Sequence, residues 1–593
     1  MADHTGLFAL IFAKAGRRAK RNVVLFEPAI CVGGFFVRID ILVKKGNKFE
    51  LIEVKAKSYN SLDPKIEGKK GGISAGMLPY IQDAAFQTWV LQQAFPDAKI
   101  ETFLMMPDKA IPAPVNGVNQ MFKIVQVNNR SKVELRPIPR QDLQGLATQL
   151  LAKVNVDKHV ASVLTEPINF PGGPQMLSKA APAWAKAYQQ DKKIAPVIGE
   201  HCGGCEFDAP MGSGAASGFR ECWKQAANMS DRDFKGGMIF YLWNYRGKAN
   251  LIENGTYKIK QVTRADIGDF EDAVSASGLS RQQRQWLQVK GVPKKHRQGA
   301  FYFDEALALR EMSTWKFPLH FIDFETSSVA LPFYKDMRPY EPVCFQFSHH
   351  VMEADGGVRH AGEFLNAKPG QFPNYEFANA LMAQLDADDG TVFMWSPHEN
   401  TMLTKIVDQL EAEANPPKGK KKLVSFVRSL IKGGDRAMVD LCVLAERAFF
   451  HPDTNGSNSI KKVLPAVLQV STYLRNTYSK PVYGAPKGIP SINFASREGF
   501  VWLEAGEEEC DPYSRLKQLA ADLLPEAAEE GSAIAEGGAA ATAYARLQFE
   551  DMDAALRGRI ESALLRYCEL DTLAMVMVVQ AWQALIKKPA RRA

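Results

Sequence analysis

The sequence predicts an α/β protein: two α/β blocks joined by a helical bridge, the second built on a mixed sheet. Strand-like and helical runs alternate over residues 20–130 and again from residue 316 onward, the pattern of sheets covered by helices. Residues 231–315 are mixed and mainly helical, with "LSRQQRQWLQV" the clearest helix. Length agrees, since 593 residues at 46% apolar content form about two to four domains with ordinary cores. The expected domains are 1–225, 226–315 and 316–593.

In the first block "VVLFEPAI", "FFVRIDILVKK" and "KFELIEVKAK" read as strands, "LPYIQDAAFQTWVLQQAF" as a helix and "KIETFLMMP" as a further strand. The second block begins at "FPLHFIDFET" and continues through "EPVCFQFSHHV", "GTVFMWSP" and "AMVDLCVLAERAFF" to the long helix "RGRIESALLRYCELDTLAMVMVVQAWQALI". Two stretches look inserted: the basic, turn-rich "NPPKGKKKL" at 415–423, and the low-complexity "PEAAEEGSAIAEGGAAATA" at 525–543, expected to be mobile.

No run approaches the ~20 apolar residues that span a bilayer. Met1–Ala13 lacks a basic n-region followed by a small-residue cleavage site, so the expected location is cytoplasmic, with no membrane partner. Eight cysteines in so long a chain do not make a disulfide scaffold. Three of them cluster: Cys202 and Cys205 form a C-x2-C pair and Cys222 follows after sixteen residues. In a reducing compartment that pattern points to metal. The net charge of +7 permits a polyanionic partner.

Three groups of residues suggest chemistry. Asp40 closes a strand, the turn "KKGNK" returns the chain, and Glu53 and Lys55, two apart, face one side of the next strand. Two carboxylates can hold a divalent cation, and the lysine can orient a water and counter phosphate charge; the plainer reading is a solvated hairpin face. In "HFIDFET", Asp323 and Glu325 share a strand face with Phe321, while Ile322 and Phe324 point the other way. Buried carboxylates in such a strand need a positive partner. In "YCELD", Tyr567 and Asp571 lie four apart, stacked on one helix face.

These motifs resemble known nucleases. "RID" followed by "EVK" looks like the active-site motif of the PD-(D/E)XK nucleases, and the strands with their downstream helix resemble the RecB-like branch. That resemblance implies a restriction-endonuclease-like fold with Asp40, Glu53 and Lys55 catalytic and the two acids on metal. The branch's glutamine-x-x-x-tyrosine motif is matched by Gln82 with Phe86, and Gln87 is a second candidate. Several RecB-like exonucleases hold a 4Fe-4S cluster with one early and three late cysteines. Cys202, Cys205 and Cys222 correspond to the late three; the fourth ligand is Cys31, or His201 with zinc instead, or is absent.

The second block resembles the DnaQ-like DEDD exonucleases, which implies an RNase H-like sheet. Asp323 and Glu325 match the Asp-x-Glu motif, Tyr567 and Asp571 the Tyr-x3-Asp motif. Glu399 stands where the family usually has its middle aspartate, with Asp408 the weaker candidate, and Asp440 resembles the family's strand-end aspartate, either structural or supporting the metal ligands from behind. The implied chemistry is 3′–5′ phosphodiester hydrolysis with two Mg2+ or Mn2+ ions on Asp323, Glu325, Glu399 and Asp571, and Tyr567 orienting the attacking water. Lys420, Lys421, Lys422, Lys461 and Lys462 are phosphate-contact candidates, although lysine runs are commonly just solvated. As a whole the chain looks like a bacterial family of uncharacterised proteins that join the two nuclease types. The expected function is a metal-dependent nuclease of nucleic acid, with DNA expected over RNA as the target, in repair or anti-phage defence. The alternative is a nucleic-acid-binding scaffold, or a regulatory subunit of a repair or defence complex, with one or both sites inactive.

Overall fold

The computed structural model describes residues 22–127, 130–136, 150–170, 173–293, 301–413, 416–503, 511–524 and 537–586. Met1–Ala13, Asn415 and the first part of the low-complexity stretch, 525–536, lie outside them. The fold is mixed α/β. The described residues group into two compact units, 22–121, 136–198 and 328–341 in one and 122–135, 199–327 and 342–586 in the other.

The first unit is built on five strands in the order β1 (Asn22–Phe26), β2 (Ile41–Lys45), β3 (Lys48–Val54), β4 (Lys99–Pro107) and β5 (Leu151–Asn155). β1, β2 and β3 are antiparallel neighbours. The β2–β3 turn runs through Gly46 at φ +62°, a left-handed conformation that costs glycine little. β3 and β4 pair in parallel, which requires a crossover. Helix α1 (Leu78–Ala94) supplies it. Its Ile81, Ala84, Ala85, Val90 and Leu91 are buried in the cores that also take Phe49 and Leu51 of β3 and Leu104 and Met106 of β4. Glu53 lies on the same strand face as Phe49 and Leu51 and is therefore carried under α1.

The cysteine-bearing segment from Gly199 onward groups with the second unit. The physical reason is an aromatic cluster. Phe219 and Trp223 of α2 (Gly218–Ala227) pack on Phe234, Phe240 and Tyr257, binding the cysteine helix to the segment that follows it. That segment is mainly helical, as expected, and includes α3 (Arg281–Lys290).

The sheet of this unit runs in the order β8 (Val358–Leu365), β7 (Pro342–Met352), β6 (Leu319–Ser328), β9 (Val392–Met394) and β10 (Val439–Asp440). β7 and β8 are antiparallel, while β6–β9 and β9–β10 are parallel, so the sheet is mixed. Ile322 and Phe324 enter a core closed by α4 (Asn374–Leu385), α5 (His398–Ala412) and α6 (Lys420–Leu430). The basic stretch at 415–423, expected to be a turn-rich insertion, thus opens helix α6. Its Leu423, Val424, Phe426 and Val427 are buried in that core.

Three further helices complete the surroundings of the sheet: α7 (Ile460–Val470), α8 (Pro512–Leu523) and α9 (Ala554–Ile586). Gln346 of β7 donates to the Leu564 carbonyl of α9, and Ser348 meets Thr572. The end of the low-complexity stretch also folds, as part of a helix over Gly537–Phe549 that buries Ala540 and Ala543. No helix among the described residues is long and apolar enough to cross a membrane.

Candidate active sites

In the second unit four carboxylates face one cleft. Asp323 and Glu325 project from β6, Glu399 from the first turn of α5 and Asp571 from the middle of α9, and all four line a cavity of about 640 Å3. Glu325, Glu399 and Asp571 are buried, at 6%, 2% and 5% exposure. Burial and the mutual repulsion of these acids push Asp323 and Glu325 well above the usual carboxylate range. Glu399 is pushed up to about 8, chiefly by burial, even though its own backbone N–H and that of Phe324 favour the charged form. Its Oε2 is buried without a hydrogen-bond partner.

The cation in the cleft is Lys461, from the start of α7. Its ammonium donates to the Tyr567 hydroxyl at 2.9 Å and lowers the proton affinity of Asp323, Glu325 and Asp571. One ammonium cannot balance four ionised carboxylates, which is why their proton affinity is raised. The nearby Tyr567 hydroxyl favours the charged form of Asp571, and Tyr513 of α8 donates to Asp571 Oδ1 at 2.6 Å. Asp440 accepts backbone N–H bonds from Ser396, Cys442 and Val443, tying the end of β10 to the start of the following helix. Asp408 pairs instead with Lys405 on an exposed face.

Between Tyr567 and Asp571, Glu569 points into the core on the other side of α9. It accepts hydrogen bonds from Tyr483, Ser491 and Asn493. Burial opposes its charge, but His360 at 3.2 Å and these donors prevail, holding it at about 2. Glu569 thereby fixes the rotation of the helix that presents Tyr567 and Asp571 to the cleft. A half-buried Trp243 and a buried Trp395 line the opposite part of the same cavity. Trp243 is clamped by α3: its backbone N–H donates to Gln288, its carbonyl accepts from Gln285, and the Arg284 guanidinium lies 5.4 Å from its ring.

In the first unit Lys55 Nζ donates to Glu53 Oε1 at 2.7 Å and to Asp83 Oδ2 at 2.5 Å. Gln87 Nε2 donates to Glu53 Oε2 at 2.8 Å and to Asp83 Oδ1 at 3.1 Å. The glutamine brought to the site is therefore Gln87, not Gln82. Gln87 lies on the sheet-facing side of α1 with Ala84 and Leu91, whereas Gln82 does not reach Glu53 or Lys55. Asp83 was not foreseen; its spacing of four from Gln87 within an apolar helix is the signal for both. Asp40 accepts the Val54 N–H at 2.7 Å, and its charge raises Glu53, whose upward shift comes first from burial. Burial disfavours the Lys55 charge, but Asp83 and Glu53 outweigh it and raise its pKa.

Cys202 and Cys205 sit on the turn Glu200–Gly204 and just after it, and Cys222 sits on α2. Burial and the neighbouring Cys205 and Cys222 thiols push Cys202 up, and the His201 Nε2 lies 3.6 Å from its Sγ. Among the described residues the groups whose potential ligand atoms converge within 4.8 Å are Asp323–Glu325–Cys568 and His360–Glu363–Glu569; the three cysteines do not form such a group. Cys31 is exposed on a strand of the first unit.

Comparison with known proteins adds one match: a domain of unknown function (DUF2779) corresponds to residues 320–459. This range carries Asp323, Glu325, Glu399 and Asp440, while Tyr513, Tyr567 and Asp571 lie beyond it. No curated protein and no solved structure matches the chain.

Proposed function

We propose that the second unit is a metal-dependent exonuclease centre of the RNase H-like, DnaQ-like type. The observation that carries the reading is the mutually repelling set of Asp323, half-buried, with the buried Glu325, Glu399 and Asp571, Glu399 Oε2 being left unpartnered. Oxygen donors of this kind suit Mg2+ or Mn2+, and a buried anionic cluster of this size needs such charge to remain ionised. When bound, the ions supply an acidified water and charge stabilisation at the leaving oxygen.

The chain's own residues bind and orient. Asp323, Glu325, Glu399 and Asp571 would hold the ions, and Tyr567, held by Lys461, would direct its hydroxyl at an attacking water in the cleft. The Lys461 ammonium meets the phosphate. Trp243 offers a rigid aromatic face on which a base of an unpaired strand end stacks.

The first unit fits a second, RecB-like centre in which Asp40 and Glu53 hold a metal and Lys55 orients water, with Gln87 and Asp83 fixing Glu53 and Lys55. A reading without cleavage there, as a nucleic-acid-binding module, is favoured by one observation: Lys55 is already engaged by two carboxylates. Cys202, Cys205 and Cys222 with His201 provide the donor types of a zinc site, and the thiols alone three ligands of an iron–sulfur cluster. The ligand atoms of the three cysteines do not all lie within 4.8 Å of one another, so neither site is closed in this arrangement.

Single-stranded and duplex DNA and RNA, labelled at either end and incubated with Mg2+, Mn2+ or EDTA, test the proposal. Stepwise shortening from the 3′ end that EDTA stops supports it. Intact substrates in every metal condition favour the scaffold.

A further inference from the structure

Beside the carboxylate–lysine centre of the first unit lies a second cavity, of about 240 Å3. Its walls come from the chain directly after β3, from the following loop and from the end of β4. They carry Lys57, Lys65, Lys109, Asn60 and Ser74, with Gly76 at one side. The sole acid in the lining is Asp63, and its carboxylate is occupied by Lys65 at 2.6 Å. Lys57 is half-buried and makes no ion pair with any described residue. The lining is therefore net cationic, with Lys57 and Lys109 not matched by any acid of the lining itself.

Its walls are ordered by a buried acid outside the lining. Asp108, 3% exposed, accepts the N–H groups of Ser61 and Ala110, while Tyr59 N–H bonds to the Pro107 carbonyl and Lys109 N–H to the Tyr59 carbonyl. These bonds join the two cavity-bearing segments, so the cationic lining is held in place by the backbone. The location of Lys57 adds to the charge imbalance. A Cβ built on Gly76 would lie 3.8 Å from its Nζ, which sets the ammonium at the start of α1, a 17-residue helix with no acid in its first turn and no side-chain cap. A helix start already carries positive partial charge, and a half-buried ammonium beside it calls for an anion.

We propose that this cavity is a phosphate subsite for a nucleic-acid strand, gripping a phosphate next to the one presented to Lys55. The proposal rests on the nuclease reading of the first unit. Lys57 is two residues beyond Lys55 in an extended segment, so their Cα atoms are at most about 7 Å apart. Lys57 and Lys109 supply the charge, and Asn60 and Ser74 supply donors for phosphate oxygens. The ligand chemistry is a phosphate oxyanion, either an internal diester or a 5′-terminal monoester.

The test is binding of a fluorescent single-stranded oligodeoxynucleotide to the full chain in EDTA, over a salt series. Each phosphate contact contributes about 0.7 to the slope of log K against log salt for single strands. Lys57→Ala should weaken binding severalfold and lower the slope by about that amount, and Lys57→Arg should restore both. Lys69→Ala, at an exposed lysine in the same loop outside the cavity, should do neither.

A loss with Lys57→Ala that persists on a 5′-hydroxyl oligonucleotide identifies an internal diester; a loss seen only with a 5′-phosphate identifies a terminal one. Unchanged affinity and slope in Lys57→Ala, with an unchanged melting temperature, overturn the subsite, as does an equal loss in Lys69→Ala. Cleavage with metal separates this from the underlying reading. If Lys55→Ala leaves all cleavage intact while Lys57→Ala still weakens binding, the nuclease reading of the unit fails and the subsite stands.

Discussion

The Lys461 ammonium donates a 2.9 Å hydrogen bond to the hydroxyl of Tyr567, one helical turn before Asp571. The two residues are 106 positions apart, and the bond places a single cation inside a four-carboxylate cleft. Lys461→Met should raise the proton affinity of Asp323, Glu325 and Asp571, release the Tyr567 hydroxyl and lower cleavage about tenfold or more, the scale of one lost charged hydrogen bond of about 1.5–3 kcal/mol. Steady-state cleavage rates across a Mg2+ titration check it. Activity equal to wild type at every concentration removes Lys461 from the chemistry.

Glu399 gives the metal-free protein a distinct pH signature. Its folded carboxyl is held at about 8 against an ordinary 4.5. The folded chain thus binds this proton more tightly than the unfolded chain, and stability rises as pH falls through about 8. In EDTA, the melting temperature should climb from pH 8 to about 6.5 more steeply in wild type than in Glu399→Gln. Stopping near 6.5 avoids the protonation of His349 and His350, which burial keeps neutral. Thermal melts of both proteins decide the matter; parallel curves contradict the assigned shift.

Trp243 should matter to substrate and not to metal. Stacking of one base is worth about 1–3 kcal/mol, so Trp243→Ala should raise KM for single-stranded ends about five- to a hundredfold with a smaller change in kcat. Trp243→Phe should recover part of the loss. An equal effect on a substrate with an abasic end argues against stacking.

The cysteines separate three outcomes by metal analysis of anaerobically purified protein. Brown protein with iron and sulfide supports a cluster at Cys202, Cys205 and Cys222; colourless protein with stoichiometric zinc, lost in His201→Ala, supports the zinc site. Protein with neither metal withdraws both.

What the sequence made legible follows from periodicity. A spacing of two brought Asp323 to the face of Glu325 and Glu53 to the face of Lys55, and a spacing of four aligned Tyr567 with Asp571; each depends only on the geometry of one element. The partners that were missed depend on packing between elements. Tyr513 reaches Asp571 from a helix 58 residues away, with no spacing to announce it. Gln82 and Gln87 are equivalent in a local pattern, and which one meets Glu53 is set by the side of α1 that buries Ala84 and Leu91. The placement of the cysteine helix was decided by Trp223, whose aromatic neighbours Phe240 and Tyr257 follow it in sequence.

Digestion of a 5′-labelled single-stranded DNA by Asp323→Ala with Mg2+ or Mn2+ tests most directly whether Asp323 and its three carboxylate partners hold the metal for 3′-end hydrolysis. The expected result is loss of 3′ shortening to the level seen in EDTA, with the fold intact by circular dichroism, while Lys55→Ala keeps that shortening. Wild-type shortening by Asp323→Ala, or its disappearance in Lys55→Ala alone, would contradict the account.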